Sequence, residues 1–315
     1  MSIIKVSDLA YCRMQTPDLD RSEQFLRDFG LLPAGLDGPR RLFRGTAPSQ
    51  YCYVIEKGPR QFLGCAFQAK SRADLEALSK SEGRLIEHID APGGGLRVRL
   101  TDPNGYAIDV VHGIESAAPV EIERCEVNTA AHPLRRAGKL LRLPKNQPTP
   151  IKRLAHVVFA TPKLNETIDW YRHKLGLISS DEVVVGPEKK RIGAFMRVDD
   201  GSNFVDHHAV FVVASPQAGL QHLSFEAQDV DAVFADHHYL QHLGRYEHFW
   251  GIGRHLLGSQ LFDYWSDPWG YAHEHWADSD RLNADAPTAV WDAREGLVTQ
   301  WGEEPSERFR NCAQP

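Results

Sequence analysis

Long apolar runs are missing from this chain. No stretch of about 18 consecutive apolar residues occurs and no apolar segment opens it, so neither a membrane-spanning helix nor a secretory leader is supported. An excess of positive charge is missing too. Lys and Arg number 36 against 42 Asp and Glu, a net charge of −6, which argues against nucleic acid as a partner. Cysteine is sparse. Cys12, Cys52, Cys65, Cys125 and Cys312 are odd in number, scattered and without a CxxC pair; they read as free thiols in a reducing, cytoplasmic setting, not as a disulfide framework. What remains is an ordinary globular composition, 42% hydrophobic and 25% charged over 315 residues, enough for about two domains with their own cores. Histidine is unevenly spread. Of 15 histidines, 12 fall between His156 and His275, so histidine-based chemistry belongs to the second half.

The chain carries one pattern twice. Leu9-Ala10-Tyr11, Thr16-Pro17 and the run from Leu19 to Gly30-Leu31 return as Leu154-Ala155-His156, Thr161-Pro162 and the run from Leu164 to Gly176-Leu177. Each predicts a short strand, a turn and an amphipathic helix closed by a Gly-Leu exit. Phe62 to Phe67 matches Leu220 to Phe225, and each is followed by a helix-like segment, 71–81 and 229–240. Thr101-Asp102-Pro103-Asn104-Gly105 through Asp109 matches Ser266-Asp267-Pro268-Trp269-Gly270 through Glu274, an Asp-Pro-x-Gly turn that joins two strands. A duplicated α+β domain follows. We divide it into residues 1–115, a linker 116–150 without periodicity, a second copy 151–280 and a polar tail 281–315. The tail either packs on the second copy or is partly disordered.

The copies differ at three equivalent places. Tyr11 becomes His156, Gly64 becomes His222, and Asp109 becomes Glu274. Singly, each has an ordinary reading: a core or surface histidine, or a buried salt bridge. Jointly, two histidines and a carboxylate at repeat-equivalent strand positions, in one copy only, make the donor set of mononuclear non-haem Fe(II) oxygenases, whose open positions take substrate and dioxygen. A carboxylate set among apolar and aromatic residues, as Glu274 is, also needs a partner or a metal.

The second half resembles the type I extradiol ring-cleavage dioxygenases of the vicinal oxygen chelate superfamily. The family motif runs from a histidine through a tyrosine and an acidic-Pro-x-Gly turn to a glutamate. Here His255, Tyr264, Asp267, Pro268, Gly270 and Glu274 stand in register. Asp263 departs from it, since the family has an apolar residue before the tyrosine. The resemblance implies two tandem domains, each a pair of βαβββ modules forming a curved mixed sheet around a central cavity. It implies that His156, His222 and Glu274 hold Fe(II), with Mn(II) in some relatives, and that the protein is a homo-oligomer. His208 matches the acid/base histidine, which in the family falls on the second of the His207-His208 pair, and strand alternation fits, since only one of two neighbours can face the metal; an imidazole pKa near ambient pH suits that role. His255 and Tyr264 would contact the oxygens of a catechol-type substrate cleaved by O2 beside the diol.

Other members of that superfamily are glyoxalase-type isomerases, whose ligands come from both modules, and metal-free binding proteins. Tyr11 and Gly64 speak against the first, and the intact His156, His222 and Glu274 set against the second. Trp250, Trp265, Trp269, Phe249 and Phe262 suggest an aromatic pocket. Arg254 is expected to pair with a substrate carboxylate, Asp263 or Glu247, and the stretch from Gly253 to Trp265 suits trihydroxylated or carboxylated rings. His273 and His275 should face away from Glu274, and His248 should lead into a loop near the site.

Overall fold

A computed structural model describes residues 2–122, 128–133 and 146–314. Cys125 and about half of the linker lie outside these residues; the four described cysteines are buried free thiols. The first copy runs β1 (Val6–Thr16), α1 (Leu19–Asp28), β2 (Leu32–Asp37), β3 (Arg40–Arg44), β4 (Tyr53–Lys57), β5 (Gln61–Ala69), α2 (Arg72–Glu82), β6 (Ile86–His88), β7 (Leu96–Thr101) and β8 (Ala107–His112). The second runs β9 (Arg153–Thr161), α3 (Leu164–Leu175), β10 (Ile178–Val185), β11 (Lys190–Arg197), β12 (Val205–Asp206), β13 (Val210–Ala214), β14 (Gly219–Glu226), α4 (Val230–Leu243), β15 (His248–His255), β16 (Leu261–Ser266) and β17 (Ala272–Ala277). The class is α+β, and each copy is a βαβββ pair.

Sheet order repeats as well as element order. The first sheet reads β2-β3-β4-β1-β5-β8-β7-β6; the second reads β10-β11-β13-β9-β14-β17-β16-β15. The register confirms the three equivalences. Tyr11 and Asp109 both stand opposite Ala66, while His156 and Glu274 both stand opposite Ser224. Gly64 pairs with Ala107 as His222 pairs with Ala272. The opening strands, expected to be short, are 11 and 9 residues long. The central β9 is buried from its second residue onward, as a strand covered on both faces must be.

The Asp-Pro-x-Gly turns are built alike. Asp267 Oδ1 accepts the N–H groups of Trp269 and Tyr271, each at 2.8 Å, and Asp102 Oδ1 accepts those of Asn104 and Tyr106, each at 2.9 Å. Gly105 and Gly270 close the turns at φ +95° and +92°, a region that side chains resist.

The tail packs on the second copy. Beyond β18 (Arg281–Leu282), β19 (Ala289–Asp292) extends the sheet parallel to β10. After α5 (Ala293–Gly296), β20 (Thr299–Trp301) pairs antiparallel with β15, and α6 (Glu307–Arg310) follows. The second sheet thereby grows to ten strands with both former edges covered, which removes two rows of unpaired backbone groups.

β17 is buried along its whole length. Its odd residues turn toward the first copy. His275 stacks on Phe29 at 3.7 Å and meets the Phe29 carbonyl at 2.7 Å, while His273 bonds to the Tyr53 hydroxyl at 3.0 Å. The first copy thus buttresses the strand that presents Glu274 on its other face. His273 and His275 face away from Glu274, as alternation requires.

Candidate metal centre

Three neighbouring central strands bring the donors together: β9 supplies His156, β14 His222 and β17 Glu274. His156 Nε2 lies 3.1 Å from Glu274 Oε2 and 3.3 Å from His222 Nε2, and His222 Nε2 lies 3.5 Å from the same oxygen. Donors held about 2.1 Å from one ion stand about 3.0 Å apart at right angles and about 3.4 Å apart in a tetrahedron, so the three fit a common cation. Glu274 is fully buried, and its Oε1 has no hydrogen-bond partner among the described residues. Ser224 Oγ donates to the other oxygen, and Gln221 Oε1 meets His222 Nδ1. Such contacts orient the donors of a metal site.

Protonation favours the same use. Burial pushes the His156 pKa down to about 4, against the pull of Glu274, leaving its ring neutral and able to donate a lone pair. Burial alone would raise the Glu274 pKa, but hydrogen bonds from the surrounding histidines hold it well below the carboxylate range. An ionised carboxylate in a dry interior calls for compensating positive charge.

The other expected residues surround this point. His208 faces it, its ring centroid 4.0 Å from that of His156. His255 Nε2 lies 3.7 Å from Glu274 Oε1 and 3.0 Å from the Tyr264 hydroxyl. Burial, then the Glu274 charge, pushes the Tyr264 pKa well up, so its hydroxyl keeps its proton. His156, His222, His208, His255 and Tyr264 all line one cavity of about 660 Å³.

The structure corrects several expectations. His207 and His208 sit in the gap between β12 and β13, not within a strand, so pleat alternation does not choose between them. A hydrogen-bonded relay does. His207 Nε2 donates to Asp181 Oδ2 at 2.6 Å, which leaves its Nδ1 as an acceptor, and His208 Nδ1 lies 3.1 Å from that atom. With His207 neutral, this chain of contacts puts the His208 proton on Nδ1 and leaves its Nε2 unprotonated. Trp291 Nε1 from β19 holds the other Asp181 oxygen at 2.9 Å. The His208 pKa is not near ambient. Burial, then repulsion from His156 and His207, holds it well below the ordinary range.

His248 begins β15 and bonds to Asp263, away from the cavity. Arg254 pairs with Asp278 at 2.9 Å, and with neither Asp263 nor Glu247. Of the five aromatics expected in the pocket, Trp250 lines it; the others pack elsewhere, and the remaining aromatic wall is Phe195, Phe211 and Phe309. Phe309 belongs to the tail, as do Pro305, Arg310 and Asn311, which also line the cavity. Asp181, Trp291 and Phe309 escaped the sequence reading because none lies in the repeat motifs.

Among the described residues, the first copy shows no such centre. Asp109 Oδ1 and Oδ2 accept Arg99 Nε at 2.6 Å and Nη2 at 2.8 Å, and Tyr11 donates to Oδ2 at 2.9 Å. At Gly64, φ is +139° and a Cβ would lie 1.8 Å from the Ala107 carbonyl oxygen. No side chain fits there, and the carboxylate that matches Glu274 is neutralised by a guanidinium.

Fold and donor set together define a duplicated βαβββ protein with a candidate centre of two histidines and one carboxylate. A family model described as the Glyoxalase/Bleomycin resistance protein/Dioxygenase superfamily matches residues 153–274. Metapyrocatechase 2 of Cupriavidus necator is 30% identical over 314 residues, spanning 96% of this chain and 91% of that protein. The substrate complex of homoprotocatechuate 2,3-dioxygenase from Brevibacterium fuscum with 3,4-dihydroxyphenylacetate superposes with a TM-score of 0.78 at 19% identity, over 99% of this chain and 94% of that one. The Mn(II)-bound glyoxalase from Novosphingobium aromaticivorans gives 0.78 at 21% identity, over 99% and 95%. At these identities the structural likenesses bear on the fold. The chain belongs to the extradiol ring-cleavage dioxygenases of the Glyoxalase/Bleomycin resistance protein/Dioxygenase superfamily.

Proposed function

We propose that this enzyme is an Fe(II)-dependent extradiol dioxygenase that opens a catechol-type ring beside its vicinal diol with O2, in the breakdown of aromatic compounds. The observation that carries the proposal is the convergence of the His156, His222 and Glu274 donor atoms within 4.8 Å of one another, beside a cavity that both histidines line together with His208, His255 and Tyr264. His156, His222 and Glu274 would hold the ion. Bound Fe(II) supplies Lewis acidity that lowers the pKa of a diol hydroxyl, and an electron path between ring and dioxygen. The same donor set accepts Mn(II).

The protein's own groups then have distinct work. Tyr264, which keeps its proton, donates a hydrogen bond to one diol oxygen and aligns the ring with its neighbour His255. His208 enters as a neutral imidazole with its lone pair on Nε2. It accepts a proton during turnover and returns it to an oxygen of the opened product. The stacked Phe195 and Phe211, with ring centroids 3.9 Å apart, form an apolar wall of the cavity. Two features support a polar, trihydroxylated or carboxylated ring. The side-chain nitrogen of Gln260 is buried beside the cavity without a partner among the described residues, a donor awaiting an acceptor. Arg310, which lines the cavity and pairs with Glu304 at 3.3 Å, is the cation nearest the substrate space, whereas Arg254, tied to Asp278, does not line it.

The decisive measurement is oxygen uptake by protein reconstituted anaerobically with Fe(II) or with Mn(II), over a panel of catechols and trihydroxybenzenes. The expected result is stoichiometric uptake and a yellow ring-fission product with at least one polar-substituted ring. No product from any ring with either ion would overturn the proposal.

A further inference from the structure

A second cluster of donors lies on the face of β16 opposite Tyr264, and the proposed reaction does not use it. His237 comes from α4, His248 from the start of β15 and Asp263 from β16. His237 Nδ1 lies 3.0 Å and His248 Nε2 2.8 Å from the same atom, Asp263 Oδ1, and all three donor atoms lie within 4.8 Å of one another. Asp263 is fully buried and the His237 side chain is 10% exposed, whereas that of His248 is 28% exposed. Trp265 Nε1 donates to Asp263 Oδ2 at 2.5 Å, which fixes the carboxylate plane and leaves Oδ1 to the histidines.

We propose that His237, His248 and Asp263 form a second divalent-cation site, for an ion of the zinc class, that clamps α4 to the β15–β16 hairpin. Two imidazoles and a carboxylate suit borderline transition metals. The solvent-open side at His248 admits water as a fourth ligand. The Trp265 contact is of the kind that orients a metal-bound carboxylate. Three donors from three elements, 11, 15 and 26 residues apart in pairs, converge without any exposed acidic cluster. Ligands in a tetrahedral zinc site stand about 3.4 Å apart, so the two histidines need to part from Asp263 by only a few tenths of an ångström. The competing state is metal-free, with both ring nitrogens protonated and donating to one carboxylate oxygen. Binding would release those protons. The site also explains Asp263, the residue that departs from the family motif: the side chain that breaks the apolar pattern is the one both histidines meet.

Equilibrium dialysis of metal-stripped protein against buffered Zn(II), with metal counted by elemental analysis, tests this. The expected result is two equivalents per chain in the wild type, one in His248→Gln, one in His222→Ala and none in the double variant. Asp263→Asn, close in shape, replaces His248→Gln if the latter does not fold. Wild-type stoichiometry retained in both His248→Gln and Asp263→Asn overturns the proposal, as does a single wild-type equivalent that His222→Ala abolishes. A single equivalent lost in His248→Gln but kept in His222→Ala upholds the second site and counts instead against the first.

Discussion

With His207 neutral, two residues behind His208 set its tautomer and leave a lone pair on its other ring nitrogen. Asp181 accepts from His207 Nε2, and His207 Nδ1 then accepts from His208 Nδ1. Reversing the relay would put a proton where the proposed reaction needs a lone pair. Asp181→Asn offers His207 an amide that bonds in either sense. We expect turnover to fall about 10–100-fold, the range for partners that orient a catalytic group, with the effect in kcat and not in KM and with metal content unchanged. Oxygen-uptake kinetics and elemental analysis check this, and an equal rise in KM would point to a merely structural role. His208→Phe removes the proton carrier itself. The expected loss is about 10²–10⁴-fold with full iron content; iron loss in that variant would make His208 a ligand.

At the scale of elements, the tail does more than cover sheet edges. β19 delivers Trp291 to Asp181, and α6 delivers Phe309 to the cavity, where its ring lies 4.6 Å from Tyr264 and 5.1 Å from Trp250. Phe309 is 7% exposed. Phe309→Ala opens that wall and removes apolar contact worth about 1–3 kcal/mol. We expect KM to rise about 10-fold, equivalent to about 1.4 kcal/mol, while kcat changes less and the metal stays bound. Steady-state kinetics on the substrate found by the panel decide the point; an unchanged KM would remove α6 from the substrate wall.

For the whole molecule, duplication divided the labour. The second copy retains the donors, and the first supplies a rigid back. His275 stacked on Phe29 and His273 bonded to Tyr53 join β17 to the first copy. In the first copy Arg99 pairs with Asp109 at 2.6 Å. Breaking a buried pair from one side strands a charge, which costs about 3–5 kcal/mol. Arg97 at 4.0 Å offers partial compensation, so Arg99→Leu should destabilise by about 3 kcal/mol, the lower end of that range. Urea unfolding measures it, and turnover per folded molecule should match the wild type.

The sequence by itself determined the duplication, the α+β class, the Asp-Pro-x-Gly turns and the three positions His156, His222 and Glu274. All of these are local patterns or differences between two copies of one pattern, and a repeat makes distant residues comparable without a structure. Tertiary structure alone decided what holds His207 and His208 in place, where Arg254 points, what Asp263 does and what the tail contributes. Each of those depends on a partner far along the chain: Asp181 is 26 residues from His207, and Trp291 is 110 from Asp181. Such pairings arise from how strands stack into a sheet, and neither spacing nor periodicity in the sequence encodes them.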